Sequence, residues 1–179
     1  MAWSEGKIAR AIALQTLARK CVVLVDRCNW TGHECDVLAV TTDLRVIDVE
    51  VKISRADFKA DAAKDKWWHR PGWRWNQPQP PAVHRDWPPK VWKHYVAMPA
   101  ELWADSLMEF MPSPRSGLLL VSESRGPGAA VVVRCERRAT PNKDAGRLTP
   151  AQAVDIARLA NLRMWDAYSR AQRLELEAA

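Results

Sequence analysis

Asp36, Glu50 and Lys52 are the residues of this chain whose types and spacing suit a single chemical task. They bracket two apolar runs, Asp36-Val37-Leu38-Ala39-Val40 and Leu44-Arg45-Val46-Ile47-Asp48-Val49-Glu50-Val51-Lys52, joined by Thr41-Thr42-Asp43. Two such runs around a short polar link predict a tight antiparallel hairpin. A turn centred between Thr42 and Asp43 places Asp36 across from Val49 or Glu50. The strand period of two puts Glu50 and Lys52 on one face. Two carboxylates and an amine, distant in sequence, then meet at one end of the hairpin. Mg²⁺ takes oxygen ligands in octahedral geometry and keeps several waters, so one or two carboxylates suffice when a substrate phosphate adds oxygens. Such an ion polarises a phosphodiester and activates a water. A neighbouring ammonium orients that water and offsets charge building on the phosphoryl oxygens. The competing reading is a strand end carrying ordinary solvated charges, and the spacing alone does not choose between them.

The surrounding residues add to this. Asp36 with Glu50-Val51-Lys52 resembles the PD-(D/E)xK nuclease superfamily, with Cys35 standing where the name-giving proline would be. The longer string Val49-Glu50-Val51-Lys52-Ile53-Ser54-Arg55-Ala56-Asp57-Phe58, followed by Asp61 and Lys66-Trp67, resembles the MmcB-like DNA-repair proteins and their phage relatives. The similarity is dense over residues 34–67 and resumes at 94–99 and 117–121. The resemblance implies one nuclease-like domain over residues 1–179, with a restriction-endonuclease-like αβββαβ core. It implies a metal-dependent deoxyribonuclease of DNA repair or phage DNA metabolism. Asp36, Glu50 and the main-chain carbonyl of Val51 would hold Mg²⁺ or Mn²⁺, with Lys52 beside the nucleophile. Members often bring an acid from the first helix, which here is Glu5; that residue reads equally as a first-turn acid suited to the helix dipole.

Several elements must position these groups. Ser4 caps a helix expected over 5–19, with Ile8, Ala11, Ile12 and Gln15 on one stripe and Leu14, Leu17 and Ala18 beside it. Cys21-Val22-Val23-Leu24-Val25 reads as a buried strand. Apolar residues on both faces of the hairpin strands argue that both lie centrally, covered from two sides. Ser54, with Asp57 three residues on, starts a helix over about 55–66. Its first amides, Ser54 and Arg55 are candidates to hold a phosphate, although Ser54 and Asp57 are equally explained as caps. Further strands are expected at 93–97, 117–122 and 130–136. Thr149 and Pro150 open a closing helix to about 175, with Leu148, Val154, Ala157, Leu162, Trp165 and Tyr168 as its packing residues. The expected fold is α/β, a central mixed β-sheet flanked by helices.

Composition is that of a globular protein: 47% hydrophobic and 27% charged residues over 20.3 kDa. No stretch approaches the ~20 apolar residues of a membrane span, and the N-terminus shows no signal-peptide pattern, so a cytoplasmic location without membrane contact is expected. A net charge of +6 and a pI near 9.4 favour a polyanionic partner, here DNA. Cys21, Cys28, Cys35 and Cys135 form no CxxC pair. A zinc site built from Cys28, His33 and Cys35 has irregular spacing and no second pair, so reduced thiols are the expectation.

Residues 59–94 stand apart. Trp67, Trp68, Trp73, Trp75, Trp87 and Trp92 fall there, with Pro71, Pro78, Pro80, Pro81, Pro88 and Pro89. The prolines forbid a continuous helix or strand, and residues 68–90 read as an insertion, a long loop of the kind that is usually functional or disordered. Arg70, Arg74, Arg85 and Lys90 supply cations and Trp73 and Trp75 supply rings, a composition suited to stacking on unpaired bases. The alternative is that the tryptophans pack the loop onto the body as a small satellite core; both readings hold if Trp67 and Trp68 face inward and Trp73, Arg74 and Trp75 outward. Besides the nuclease, two function classes compete. One is a DNA-binding module of nuclease fold without catalysis. The other is a phage protein-interaction factor using the Trp-rich loop, since tryptophan is also an interface anchor.

Overall fold

The computed structural model describes residues 2–70, 72, 76, 78, 80–124 and 131–178. Trp73, Arg74 and Trp75 lie outside them. Helix α1 (Glu5–Ile12) starts where expected, with the Ser4 hydroxyl accepting from the Lys7 amide at 3.3 Å. It does not run unbroken to residue 19. The chain widens into a π-helical turn over Ala13–Leu17, which shifts the side-chain phase. Leu17 stays buried, whereas Leu14, expected beside the stripe, is 60% exposed.

Six strands form one sheet: β1 (Cys21–Cys28), β2 (Cys35–Thr41), β3 (Val46–Val51), β6 (Lys93–Pro99), β7 (Gly117–Glu123) and β8 (Val131–Arg137), in that spatial order. β1, β2 and β3 are antiparallel neighbours, β3–β6 and β6–β7 are parallel, and β8 returns antiparallel to β7. The sheet is therefore mixed, and the hairpin strand β3 is buried along its whole length, as its two apolar faces require. β1 was expected to be buried but lies at the sheet's edge, leaving Val22 58% exposed. The opposite edge is guarded by Gln15, whose amide nitrogen donates to the Val131 carbonyl and whose carbonyl accepts from the Val133 amide at 3.1 Å. Those bonds satisfy β8 backbone groups that a bare edge would offer to another chain.

The faces are covered by different elements. Ile8, Ile12 and Leu17 lie against Val37, Ala39, Val49, Val51, Ala97, Leu119 and Val121. On the other face, helix α2 (Arg55–Ala60) sets Phe58 among Val96, Met98, Leu118 and Leu120. Helix α3 (Pro150–Glu177) sets Ile156 among Val25, Leu38, Val40 and Val46. α2 ends at Ala60, short of the expected 66, and gives way to 3-10 turns at Asp61–Ala63 and Asp65–Trp67.

α3 opens with the full capping box, Thr149 accepting from the Gln152 amide and Gln152 reaching back to the Thr149 amide. Its packing stripe is not the expected one. Ala153, Ile156, Leu159 and Ala160 meet the sheet, while Val154, Leu162, Trp165 and Tyr168 are 47–66% exposed. Val154 lies on the outer face of the first turns, beside Ala153 and Ile156. For Leu162, Trp165 and Tyr168 the cause is length: 28 helical residues span about 42 Å, far more than the about 27 Å of the eight-residue strand β1 beneath, so the helix outruns its support.

The insertion carries a small ribbon, β4 (Trp68–His69) paired with β5 (Val83–His84). Trp67 is fully buried as expected, but Trp68 stays 37% exposed, because the ribbon lies over the surface. Among the described residues no helix is long and apolar enough to cross a membrane.

A candidate active site where the hairpin opens

The hairpin turn fixes everything that follows. The Thr41 hydroxyl donates to Asp43 at 2.6 Å and accepts from the Arg45 amide at 2.9 Å, and Leu44 takes a left-handed conformation at φ 61°. Leu44 thus belongs to the turn, and the register is centred on Asp43: Val40 faces Val46 and Val37 faces Val49. Continued by one residue, that ladder sets Asp36 opposite Glu50. The ladder stops at Val37, however, and the Val51 amide donates instead to the Asp36 carboxylate at 2.7 Å. The next amide, that of Lys52, donates to Ala97 of β6 at 2.8 Å, so the Val51 amide is the one aimed at β2. Asp36 therefore reaches across in the plane of the sheet, replacing a main-chain acceptor where the strands part.

Burial pushes the Asp36 carboxyl up to about 6; the Val51 amide opposes this, and the charges of Glu50 and Glu5 add to it. Glu5 sits exposed in the first turn of α1 and lines, with Asp36, Asp26, Arg27, Gly6 and Ala9, a cavity of about 140 Å³.

Glu50 and Lys52 share the α2 face of β3, where they enter a buried ionic cluster. The Lys52 ammonium lies 3.3 Å from Glu50, 2.7 Å from Asp61 and 3.6 Å from Asp57. Lys64 contacts Glu50 at 3.1 Å and Asp61 at 2.9 Å, and Lys66 contacts the other Glu50 oxygen at 2.5 Å. Both oxygens of Glu50 are thus held by ammonium groups. Lys66 also stands 4.0 Å from Asp48 and from Asp61. Three carboxylates (Asp48, Glu50, Asp61) face the buried ammonium groups of Lys52 and Lys66 and the half-exposed one of Lys64, and this pairing is what lets the buried charges stay buried. Burial alone would raise Asp61, but Lys66 and Lys52 hold it well below the usual carboxylate range. Asp48 is likewise carried against burial to about 2, by Lys66, His33 and His94. Burial, helped by Lys66, lowers His94 to about 4, so its imidazole is neutral.

Trp67 roofs the cluster. Its indole N–H donates to Asp61 at 3.2 Å, and its ring meets His94 edge-on at 4.8 Å and stacks on His84 at 6.2 Å.

The remaining candidates disperse. Ser54 acts as a cap, its hydroxyl accepting from the Asp57 amide at 3.1 Å. Arg55 was expected to serve the phosphate end of α2; it is tied instead to the Leu102 carbonyl at 2.7 Å. Arg70 pairs loosely with Asp65 at 3.9 Å, Arg85 bonds His69 at 2.8 Å, and Lys90 donates to the Trp30 carbonyl at 3.3 Å. Lys64 and His94 had no expected role in the site, and Asp61 and Lys66 entered only as part of the motif string. Asp48, one strand period before Glu50, reads from the sequence as facing the site's edge or pairing with an arginine, and it lies there against Lys66. The one available sequence signal was the pairing of Asp61 with Lys64 three residues on, the spacing of neighbours on a helical turn.

No protein-family model matches the chain, and no curated protein matches its sequence. A solved structure, the SPO1766 protein of unknown function from Silicibacter pomeroyi, is similar over 98% of this chain and 94% of that one. Identity is 22% and the TM-score is 0.54, a likeness of fold.

Proposed function

We propose that this protein is a metal-dependent phosphodiesterase acting on DNA, with its centre between Asp36, Glu50 and Lys52. The observation that carries the reading is Asp36: a carboxylate held by the Val51 amide at the parting of two strands, with the acidic groups of Glu50 and Glu5 acting on it. A carboxylate raised by burial, with like charges adding, is relieved when a cation arrives. The element order α1-β1-β2-β3-α2-β6 also agrees with the αβββαβ core expected from the nuclease resemblance.

The donor types suit a hard divalent ion, although Glu5, Asp36 and Glu50 are not gathered within 4.8 Å of one another in this structure. Asp36, Glu50 and the Val51 carbonyl would hold it, with Glu5 at the α1 side. When bound, such an ion supplies Lewis acidity toward a phosphate oxygen and lowers the pKa of a coordinated water. Glu50 frees an oxygen most readily from Lys64, whose side chain is 46% exposed, whereas those of Lys52 and Lys66 are 2% exposed. Lys64 then turns its charge to solvent or to the substrate backbone. Lys52, fixed between Glu50 and Asp61, positions an attacking water and offsets charge on the phosphoryl oxygens. The net charge of +6 favours a polyanionic partner.

One observation favours a second reading, a DNA-binding module without catalysis: both Glu50 oxygens are already satisfied by ammonium groups. The readings separate on labelled single- and double-stranded DNA incubated with Mg²⁺ or Mn²⁺. The nuclease cleaves, and Asp36→Ala does not. Binding that falls with salt, with no cleavage on either substrate, would leave only the module.

A further inference from the structure

We propose that His33, Cys35 and Asp48 form a second metal site, selective for a single divalent ion of borderline softness, zinc foremost. It adjoins the Asp36–Glu50 centre, Lys66 contacting both Asp48 and Glu50, but does not depend on the nuclease reading.

The three donors come from separate segments that the fold brings together: His33 from the β1–β2 loop, Cys35 from the first position of β2, and Asp48 from β3. One donor atom from each lies within 4.8 Å of the others. His33 Nε2 is 3.0 Å from Asp48 Oδ2 and 3.7 Å from Cys35 Sγ. Around a tetrahedral zinc with ordinary bond lengths, nitrogen and oxygen ligands stand about 3.4 Å apart and nitrogen and sulfur about 3.6 Å apart. The observed edges match within a few tenths of an ångström, which small rotations of imidazole and carboxylate supply.

The second observation is independent of that geometry. Asp48 is fully buried, yet its Oδ1 has no hydrogen-bond partner among the described residues. A buried carboxylate oxygen left so is costly, and an ion taking Oδ1 as well as Oδ2 would relieve the cost. The surroundings support the donors as well. The Thr31 hydroxyl donates to the His33 carbonyl at 2.8 Å and lies 3.4 Å from Cys35 Sγ, fixing both ligands from behind. A bound ion displaces the thiol proton of Cys35. One thiolate and one carboxylate match the divalent charge, but Asp48 also serves as a counter-charge to Lys66, 4.0 Å away, so binding leaves the buried cluster one positive charge richer.

Mixed sulfur, nitrogen and oxygen donors select zinc or cobalt over magnesium. Three protein ligands leave one tetrahedral position for water, reached past His33, whose side chain is 12% exposed in the β1–β2 loop. No CxxC pair is needed, because a strand carboxylate stands where a second cysteine pair would be expected.

The test is cobalt binding by the full-length, untagged, chelator-treated protein kept reduced with a phosphine. The expected result is one Co²⁺ per chain, a near-ultraviolet thiolate-to-cobalt charge-transfer band with tetrahedral visible bands, and displacement by equimolar Zn²⁺ but not by excess Mg²⁺. Cys35→Ser should abolish the sulfur band, and Asp48→Asn should weaken zinc binding by about 100-fold. Asp36→Ala should leave the spectrum unchanged. A cobalt complex without the sulfur band overturns the proposal on the wild-type protein alone. So does a band that survives Cys35→Ser and vanishes in Cys28→Ser, which would move the sulfur donor to the register partner across β1.

Discussion

The Val51 amide donates to the Asp36 carboxylate at 2.7 Å, across the gap where β2 leaves β3. This one bond makes Asp36 part of the sheet's hydrogen bonding and of the candidate metal centre at once, so its titration has two readable consequences.

Burial, with Glu50 and Glu5 adding, sets Asp36 at about 6, and a metal must displace its proton below that pH. Mn²⁺ affinity should therefore fall about tenfold per pH unit below 6 and flatten above it, as calorimetry at pH 5, 6 and 7 would show. A flat profile removes Asp36 from the ligand set. The metal-free protein shows the opposite face of this shift. A carboxyl raised in the folded state confers stability that is complete below its unfolded value near 3.8 and is lost as pH rises through about 6. Asp36→Asn should thus stabilise the metal-free protein above pH 6, by about 1–2 kcal/mol once partial solvent contact is discounted. Thermal melts at pH 5 and 8 check the sign.

Lys52→Ala should lower DNA cleavage by about 100-fold or more, since the amine acts on charge that develops in the transition state. The structure adds a cost that the hairpin spacing does not reveal. Lys52 is buried between Glu50 and Asp61, and its loss should destabilise the fold by about 3–5 kcal/mol. Lys64→Ala, at a half-exposed side chain, should cost about 0–1 kcal/mol. Urea unfolding beside a cleavage assay on folded protein separates the effects, and equal stability losses would contradict the burial argument.

Trp67→Phe keeps most of the ring's contacts but strands Asp61, whose oxygen accepts from the indole N–H. A loss of about 1–3 kcal/mol is expected, against about 3–5 kcal/mol for Trp67→Ala. If Phe and Ala cost the same, the hydrogen bond contributes nothing.

In the insertion, removing the charges of Arg70, Arg74, Arg85 and Lys90 should weaken binding to all DNA and flatten its salt dependence. Replacing Trp73 and Trp75 with Ala should mainly cost affinity for unpaired strands and leave the salt slope alone. Unchanged affinity and cleavage after deletion of residues 70–88 would assign the loop to packing or to a protein partner.

The strands and caps were legible because each depends on neighbours in sequence. Two continuous apolar runs around a short polar link marked β2 and β3, and Ser4, Ser54 and Thr149 marked their helices through bonds that close within three residues. The register was legible to within half a residue, the remainder resting on Leu44, a branched residue in a left-handed conformation that composition does not suggest. The lysine cage was not legible. It arises because 3-10 turns follow α2, so Lys64 and Lys66 swing back over Glu50; a helix continuing to residue 66 would have pointed them elsewhere. The outward face of α3 failed for a similar reason. Periodicity locates an apolar stripe, but only the length of the neighbouring strand says how far that stripe has something to touch.

That overhang divides α3 into two regimes of backbone protection. Its first turns are held by the capping box and by Ile156 in the core, so their amides open only when the sheet comes apart. Beyond Arg163, whose guanidinium reaches the Arg27 carbonyl at 2.6 Å, the helix has only its own hydrogen bonds. A helical end of that length is marginal in water by itself. Amide exchange along one continuous helix should therefore change abruptly near residue 163, slow before it and fast after it. The sheet's edge would be recorded in the protection of a helix that is geometrically uniform.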